Sequence, residues 1–238
     1  MVEEPAMNER EKILTRIREA LTVPAPRPGA HPAHPGTPNP PADPASAGAQ
    51  ARRWLPKVGD TLEEQLALFA QNAAGLKANF QLFNHWDELN AALLALRDAE
   101  NWRRVASHQT ELSAKACATL QRPVCWTDRG YDVLDLEACD VGVTSCDALI
   151  AQTGSVLVTS RSTGGRALSI LPPHHLVIAR REQLVADLPA AFALIQQQYA
   201  PDYPSMISFI TGPSRTGDIE RILVLGAHGP RKLTIFCL

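Results

Sequence analysis

Cysteine is scarce in this chain of 238 residues: only Cys117, Cys125, Cys139, Cys146 and Cys237 occur. An odd number at wide, irregular spacing argues against a disulfide framework. No Cys-x-x-Cys pair exists, which argues against a zinc ribbon or a bound iron–sulfur cluster, since both need clustered thiolates. The five read as small buried hydrophobes. No apolar run reaches the roughly 18 residues that a membrane-spanning helix needs. The opening Met1-Val2-Glu3-Glu4 lacks the positive start and apolar block of a secretory signal, so a cytoplasmic location is expected. An excess of one charge is missing too. The formal net charge is −2, and nothing global favours nucleic acid or an anionic membrane surface. No basic helix or DNA-reading motif appears, which argues against direct gene regulation.

What is present supports one α/β domain with an appendage, at 45% hydrophobic composition. Asn8 to Thr22 has Ile13, Leu14, Ile17, Ala20 and Leu21 at helical spacing, and Pro24 stops it. Residues 23–52 are rich in Pro, Ala and Gly and nearly free of large apolar side chains. Such a segment buries too little to offset its ordering entropy and reads as a disordered linker. The expected organisation is therefore a helix over 1–22, a linker over 23–52 and an α/β domain over 53–238.

Within that domain Thr61 and Glu64 form a capping signature ahead of Leu62, Leu66, Phe69 and Ala73. A strand over Ala78–Phe83 follows, and Asn84 is placed to cap a helix through Arg97. Strands near Arg104–Ser107 and Val124–Trp126 flank a helix over Leu112–Leu120. The second half is richer in β structure: Val141–Thr144, Ala148–Ala151, Ser155–Thr159, Leu176–Ala179, Met206–Thr211, Ile222–Gly226 and Lys232–Cys237. A helix is expected over Glu182–Tyr199, which Pro189 either kinks or starts. This pattern predicts an α/β fold with a mixed-direction sheet flanked by helices.

Four loops rich in glycine and hydroxyls lie beside these strands. They are Gln152-Thr153-Gly154-Ser155, Ser162-Thr163-Gly164-Gly165-Arg166, Thr211-Gly212-Pro213-Ser214-Arg215-Thr216-Gly217-Asp218, and Ala227-His228-Gly229-Pro230-Arg231. Glycine lets backbone N–H groups approach a ligand, and arginine offers a planar fork for carboxylate or phosphate. Together they can form an anion-binding nest; singly, each is an ordinary turn. None is a P-loop, a dinucleotide fingerprint or a Gly-x-Ser-x-Gly elbow. The ligand-binding candidates are Thr153, Gly154, Ser155, Gly165, Arg166, Gly212, Ser214, Arg215, Thr216, Asp218 and His228. Arg215 leads them, with a surface salt bridge as its alternative role. His228 reads either as an acid, base or anion donor, or as a loop histidine bonded to a carbonyl. Asp218 and Glu220 either orient Arg215 or are solvated. Asp147 is another possible carboxylate. His174 and His175 are strand neighbours that point to opposite faces, so they do not share a metal. No metal site is expected.

Three blocks carry a family likeness. They run from Gly142 to Ser155, from Leu168 to His175, and from Ile210 through Gly212-Pro213-Ser214-Arg215-Thr216 to Ala227-His228-Gly229-Pro230-Arg231. This pattern resembles the LUD-domain family of the lactate utilisation protein C type, from about Arg53 onward. The resemblance implies a fold similar to ribose-5-phosphate isomerase, glucosamine-6-phosphate deaminase and the CoA transferases. It implies a non-redox or accessory subunit of a system oxidising L-lactate to pyruvate. It also implies iron–sulfur clusters on partner proteins of the A and B type and none on this chain. The alternative is a stand-alone enzyme or sensor for a carboxylate, sugar phosphate or CoA thioester. Two positions depart from the family pattern. Gln152 stands where glutamate is usual and cannot act as a carboxylate base, and Gly217 stands where alanine is usual.

Overall fold

The computed structural model describes residues 9–22, 56–216, 224–226 and 228–238. The chain divides into two units, Met1–Ala47 and Gly48–Leu238. In the first, α1 spans Glu9–Thr22 as the apolar spacing requires, with Ile13 and Ile17 exposed. The linker expected over 23–52 lies outside the described residues, as do Gly217, Asp218, Glu220 and the start of the strand expected at Ile222.

The second unit holds helices α2 (Leu62–Gly75), α3 (Trp86–Ala99), α4 (Glu111–Leu120), α5 (Val133–Glu137), α6 (Ser160–Thr163) and α7 (Leu188–Tyr199). Its strands are β1 (Asn79–Leu82), β2 (Val105–Ser107), β3 (Val124–Trp126), β4 (Val141–Thr144), β5 (Ala148–Ile150) and β6 (Ser155–Thr159). They continue with β7 (His174–Ala179), β8 (Leu184–Val185), β9 (Ile207–Ile210), β10 (Arg215–Thr216), β11 (Val224–Leu225) and β12 (Lys232–Cys237). Six strands in the order β1-β12-β7-β4-β2-β3 form a wholly parallel sheet. The mixed direction sits in a second sheet, β8-β5-β6-β9, where β6 runs antiparallel to both neighbours and β8 parallel to β5. Strands β10 and β11 form a separate antiparallel pair.

The alternation of side chains along each strand explains the layering. Leu176 and Ile178 of β7, Val141 and Val143 of β4 and Phe236 of β12 pack with Leu89 and Leu93 of α3 and Leu112, Ala116 and Leu120 of α4. The opposite faces of the same strands, through Val177, Ala179, Leu233, Ile235 and Cys237, meet Phe69 and Ala73 of α2 and the second sheet at Leu149, Val156 and Val158. The far side of the second sheet is closed by Ala191, Ile195 and Tyr199 of α7. A parallel sheet covered on both faces needs near-continuous apolar strands, and β4 and β7 are buried at every position.

Local signals set several boundaries. Thr61 caps α2 with the full reciprocal box, and the N–H groups of Thr61 and Asp60 hold the Glu64 carboxyl below its usual pKa. Asp187 caps α7 by accepting from the Ala190 N–H at 2.8 Å, so Pro189 starts this helix rather than kinking it. Two expectations are corrected. His85, not Asn84, is the N-cap of α3; the Asn84 amide oxygen instead accepts from Arg181 at 2.8 Å. The helix expected from Glu182 begins only at Leu188, because Leu184 and Val185 pair with Leu149 and Ile150 as β8.

Candidate functional site

In open α/β sheets, ligands bind beyond the carboxyl ends of adjacent strands whose following connections leave in opposite directions. Here β2 and β4 are such neighbours. The chain leaves β2 toward β3 on one side and leaves β4 toward β7 on the other. The residues that immediately follow these two strands are His108 and Ser145-Cys146-Asp147.

His108 Nδ1 lies 3.1 Å from Asp128 Oδ1 and 3.3 Å from Thr127 Oγ1, just past the end of β3. The other Asp128 oxygen accepts from the Gln109 N–H at 2.8 Å, which fixes the carboxylate. With Nδ1–H donating to the carboxylate, neutral His108 carries its lone pair on Nε2, the arrangement of an oriented acid–base imidazole. The loop after α6 lies directly on this ring. A Cβ added at Gly164, where φ is +66°, would stand 2.2 Å from His108 Nδ1. Glycine is required there both for the turn and for the close approach.

Beside it, a cleft of about 450 Å³ is lined by Cys146, Asp147, Arg161, Ser162, Gln183, Gln198 and Tyr199. Thr159 organises it. Its hydroxyl caps α6 and lies 3.3 Å from both Asp147 Oδ1 and the Tyr199 hydroxyl. The Tyr199 hydroxyl also donates directly to Asp147 Oδ1. Burial, then the bond to Asp147, pushes the phenol pKa up to about 12, so it stays a donor at neutral pH. The other carboxylate oxygen, Asp147 Oδ2, is buried with no partner among the described residues. The Arg161 guanidinium lies 5.4 Å from the Tyr199 ring centroid and pairs with the exposed Asp202. The Ser145 hydroxyl donates to the Ser162 carbonyl at 3.1 Å, joining the end of β4 to α6. Cys146 itself is buried, and burial holds its thiol well above the usual pKa, as a neutral group rather than a nucleophile.

Of the residues singled out from the sequence, Asp147 and the Ser162 and Gly164 of the second loop belong here, and the others fall into other places. The loop of Thr153, Gly154 and Ser155 packs on α2: a Cβ at Gly154 would stand 2.7 Å from the Ala73 nitrogen. Asn72 donates to the carbonyls of Ala151 and Gln152 at 2.8 and 2.9 Å. The Ser155 and Thr211 hydroxyls bond at 2.8 Å, so the first and third loops meet. Gly212 approaches the Leu76 carbonyl at the end of α2, and Arg215 is exposed. The third and fourth loops meet as well, through Ser214 N–H to the Pro230 carbonyl at 2.9 Å and the pairing of Arg215 and Thr216 with β11. His228 is exposed. With Ile170, Leu171, Pro173, Gly226, Gly229 and Arg231 it lines a cleft of about 580 Å³ at the amino ends of β7 and β12. Gly165 and Arg166 lie between the two edges, where the Gly165 carbonyl accepts from Thr163 at 2.7 Å. Asp218 is outside the described residues. His174 and His175 face opposite sides, bonded to Thr234 and Thr144 at 2.9 Å each.

Sequence reasoning missed His108 and Asp128. They lie 20 positions apart in no recognised motif, and the one available signal was a polar residue directly after a short apolar strand.

The fold and the switch-point cleft define the chain as an α/β protein with its polar site at the carboxyl edge of a parallel sheet. Residues 132–238 match the LUD domain family model, a span holding Asp147, Arg161 and Tyr199 but neither His108 nor Asp128. The chain is 41% identical over 106 residues to lactate utilization protein C of Shouchella clausii (44% of this chain, 46% of the relative). It is 40% identical over 100 residues to lactate utilization protein C of Geobacillus sp. (strain WCH70), covering 41% of this chain and 42% of the relative. The chain thus spans less than half the length of these curated relatives. The crystal structure of a DUF162 family protein from Deinococcus radiodurans is similar in fold. Its TM-score is 0.59 at 21% identity, covering 75% of this chain and 99% of that one.

Proposed function

We propose that this chain works in lactate utilisation, as a non-redox subunit of an iron–sulfur system that oxidises L-lactate to pyruvate. The observation that carries this reading is the likeness of its LUD-domain segment to lactate utilization proteins C. The state of its thiols supports the non-redox part. Cys117 and Cys139 are buried in two separate parts of the core and Cys146 and Cys237 together in a third, and burial raises each above the usual thiol pKa. The clusters then belong to partner proteins of the A and B type. The test is anaerobic affinity purification of the tagged chain from its host grown on lactate, followed by a lactate-oxidation assay. Co-purifying iron–sulfur proteins, with activity that depends on this chain, are expected. A complex that oxidises lactate equally well without it rejects the reading.

A second reading is a small-molecule enzyme or sensor for a carboxylate, sugar phosphate or CoA thioester. The His108–Asp128 pair near the switch-point cleft favours it, because an imidazole oriented by a carboxylate at a strand end, with about a quarter of each side chain exposed, is an arrangement suited to proton transfer. Turnover lost in His108→Gln with the fold intact would support it; unchanged turnover would remove it.

A further inference from the structure

We propose that the outer edge of β9 is a self-association surface, where two copies of this chain pair antiparallel about a two-fold axis at Ser208. Strand β9 ends the second sheet on one side and has a single strand neighbour, β6. That pairing fixes which way its backbone points. Met206 accepts from the Ser160 N–H at 2.9 Å, in register with the pairs Val158–Ser208 and Val156–Ile210. Hydrogen-bonded pairs in an antiparallel ladder recur at every second residue, so Ser208 and Ile210 direct their N–H and C=O groups to β6. Ile207 and Phe209 turn theirs outward, where they have no backbone partner among the described residues. An open edge of this kind pairs with another strand unless a charge, a proline or a bulge blunts it. Ile207-Ser208-Phe209-Ile210 has none of these, and its register with β6 is unbroken. The opposite edge of the same sheet, β8, is only two residues long.

The side chains beside this edge are apolar. Phe209 packs with Leu157 and α7, and Ile207 shares its face because side chains alternate along a strand. Phe192 of α7 has its ring 5.4 Å from that of Phe209 and is 58% exposed, and Ile207 is exposed as well. The occupant is a second copy because the edge is complementary to itself. A two-fold axis at Ser208 sets each Ile207 opposite Phe209 of the other copy, and these are the two residues whose backbone groups face out. Each such pair exchanges both hydrogen bonds, and isoleucine stands against phenylalanine on the α7 face, with Phe192 flanking the junction. Ser208 meets its own copy at the axis, a small side chain at the closer, non-hydrogen-bonded position. The stretch from Pro204 to Ser214 holds no charged side chain, so two copies meet there without repulsion and a foreign strand finds no charge to select it.

The test is the oligomeric state of the full-length chain, measured by sedimentation equilibrium from low to high micromolar concentration. A concentration-dependent dimer is expected. Ile207→Lys brings a charge into the junction twice and should raise the dissociation constant about tenfold or more. Ser208→Cys places two thiols at the axis, at a separation that a disulfide spans. Oxidised glutathione should therefore cross-link this variant through the introduced thiol, as peptide mass spectrometry reads, and the cross-link keeps the test decisive should Ile207→Lys disturb the fold. A chain that stays monomeric throughout, or a Ser208→Cys variant that forms no cross-link at that position, overturns the proposal. Amide exchange covers the remaining occupant: slow exchange at Ile207 and Phe209 in a monomer would mean that another segment of the same chain lies on the edge, and the proposal falls.

Discussion

At the scale of single residues, burial decides what each reactive group does. The cysteines illustrate it. Cys146 and Cys237 look alike in sequence to Cys125, yet only Cys125 is partly accessible; the other four are buried. Burial favours the neutral thiol, reaching about 11 for Cys117 and about 12 for Cys237. Thiolate is the nucleophile, so these groups are doubly protected, by access and by protonation. Native protein treated with iodoacetamide at pH 8 should alkylate at Cys125 first, with the other four modified only after denaturation. Peptide mass spectrometry reads the order, and early labelling of Cys146 or Cys237 would contradict the packing described here. The same logic separates the two histidine classes. His108, at a strand end, pairs with the Asp128 carboxylate, whereas His174 and His175 pair with threonine hydroxyls inside the core.

At the scale of elements, glycine shows how much of the fold was legible before the structure. Glycine in Gln152-Thr153-Gly154-Ser155 could mean ligand approach or chain packing, and sequence alone does not distinguish them. Here φ is +64° and a Cβ would collide with the α2 backbone at Ala73, so Gly154 joins the second sheet to α2. Gly154→Ala should therefore cost at least about 2 kcal/mol, from left-handed strain plus overpacking. Gly75, the last residue of α2, has ordinary φ and open space around its Cβ position. Gly75→Ala should stabilise by about 0.5–1 kcal/mol through the unfolded chain. Urea midpoints of both variants check the pair, and a neutral Gly154→Ala would refute the packing role. What was legible follows the same division. The Thr61–Glu64 box, β4, β6 and β12 were readable because their determinants are local: a cap, an apolar run, a bounding glycine. The start of α7 was misread because Leu184 and Val185 answer to β5, more than thirty residues earlier. Asn84 lost its capping role to Arg181, nearly a hundred residues on. The glycine loops were found but their destinations were not, since φ signs and neighbours come only from three-dimensional packing. Asp147 was visible as a carboxylate ahead of a buried strand; its partners Thr159 and Tyr199, and Arg161 in the same cleft, became a site only when α6 and α7 were brought together beside it.

At the scale of the whole molecule, the parallel sheet carries two histidines that link its stability to pH. His174 is 4% exposed and His175 1%, each with Nε2 at 2.9 Å from a threonine hydroxyl and with Nδ1 unpartnered among the described residues. Desolvation lowers His174 to about 4, opposed by nearby Glu100 and assisted by Lys232. Desolvation and the neighbouring His174 lower His175 to about 3. An unfolded histidine titrates near its ordinary value of about 6.5. Between these values the unfolded chain binds protons that the folded chain refuses, so folding stability is complete above about pH 6.5 and falls as pH drops toward 4 and 3. The loss is on the order of several kcal/mol, a large fraction of the stability of an ordinary domain. Carboxylates contribute their own losses mainly below about pH 5, so the histidine term is best seen between pH 6.5 and 5. His175→Gln keeps a hydrogen-bonding group opposite Thr144 but takes up no proton. Its urea midpoint should lie below wild type at pH 7.5, because a close-packed site has been disturbed, yet decline less steeply from pH 6.5 to 5. Parallel slopes for the variant and the wild type would mean that His175 is not buried neutral in the sheet.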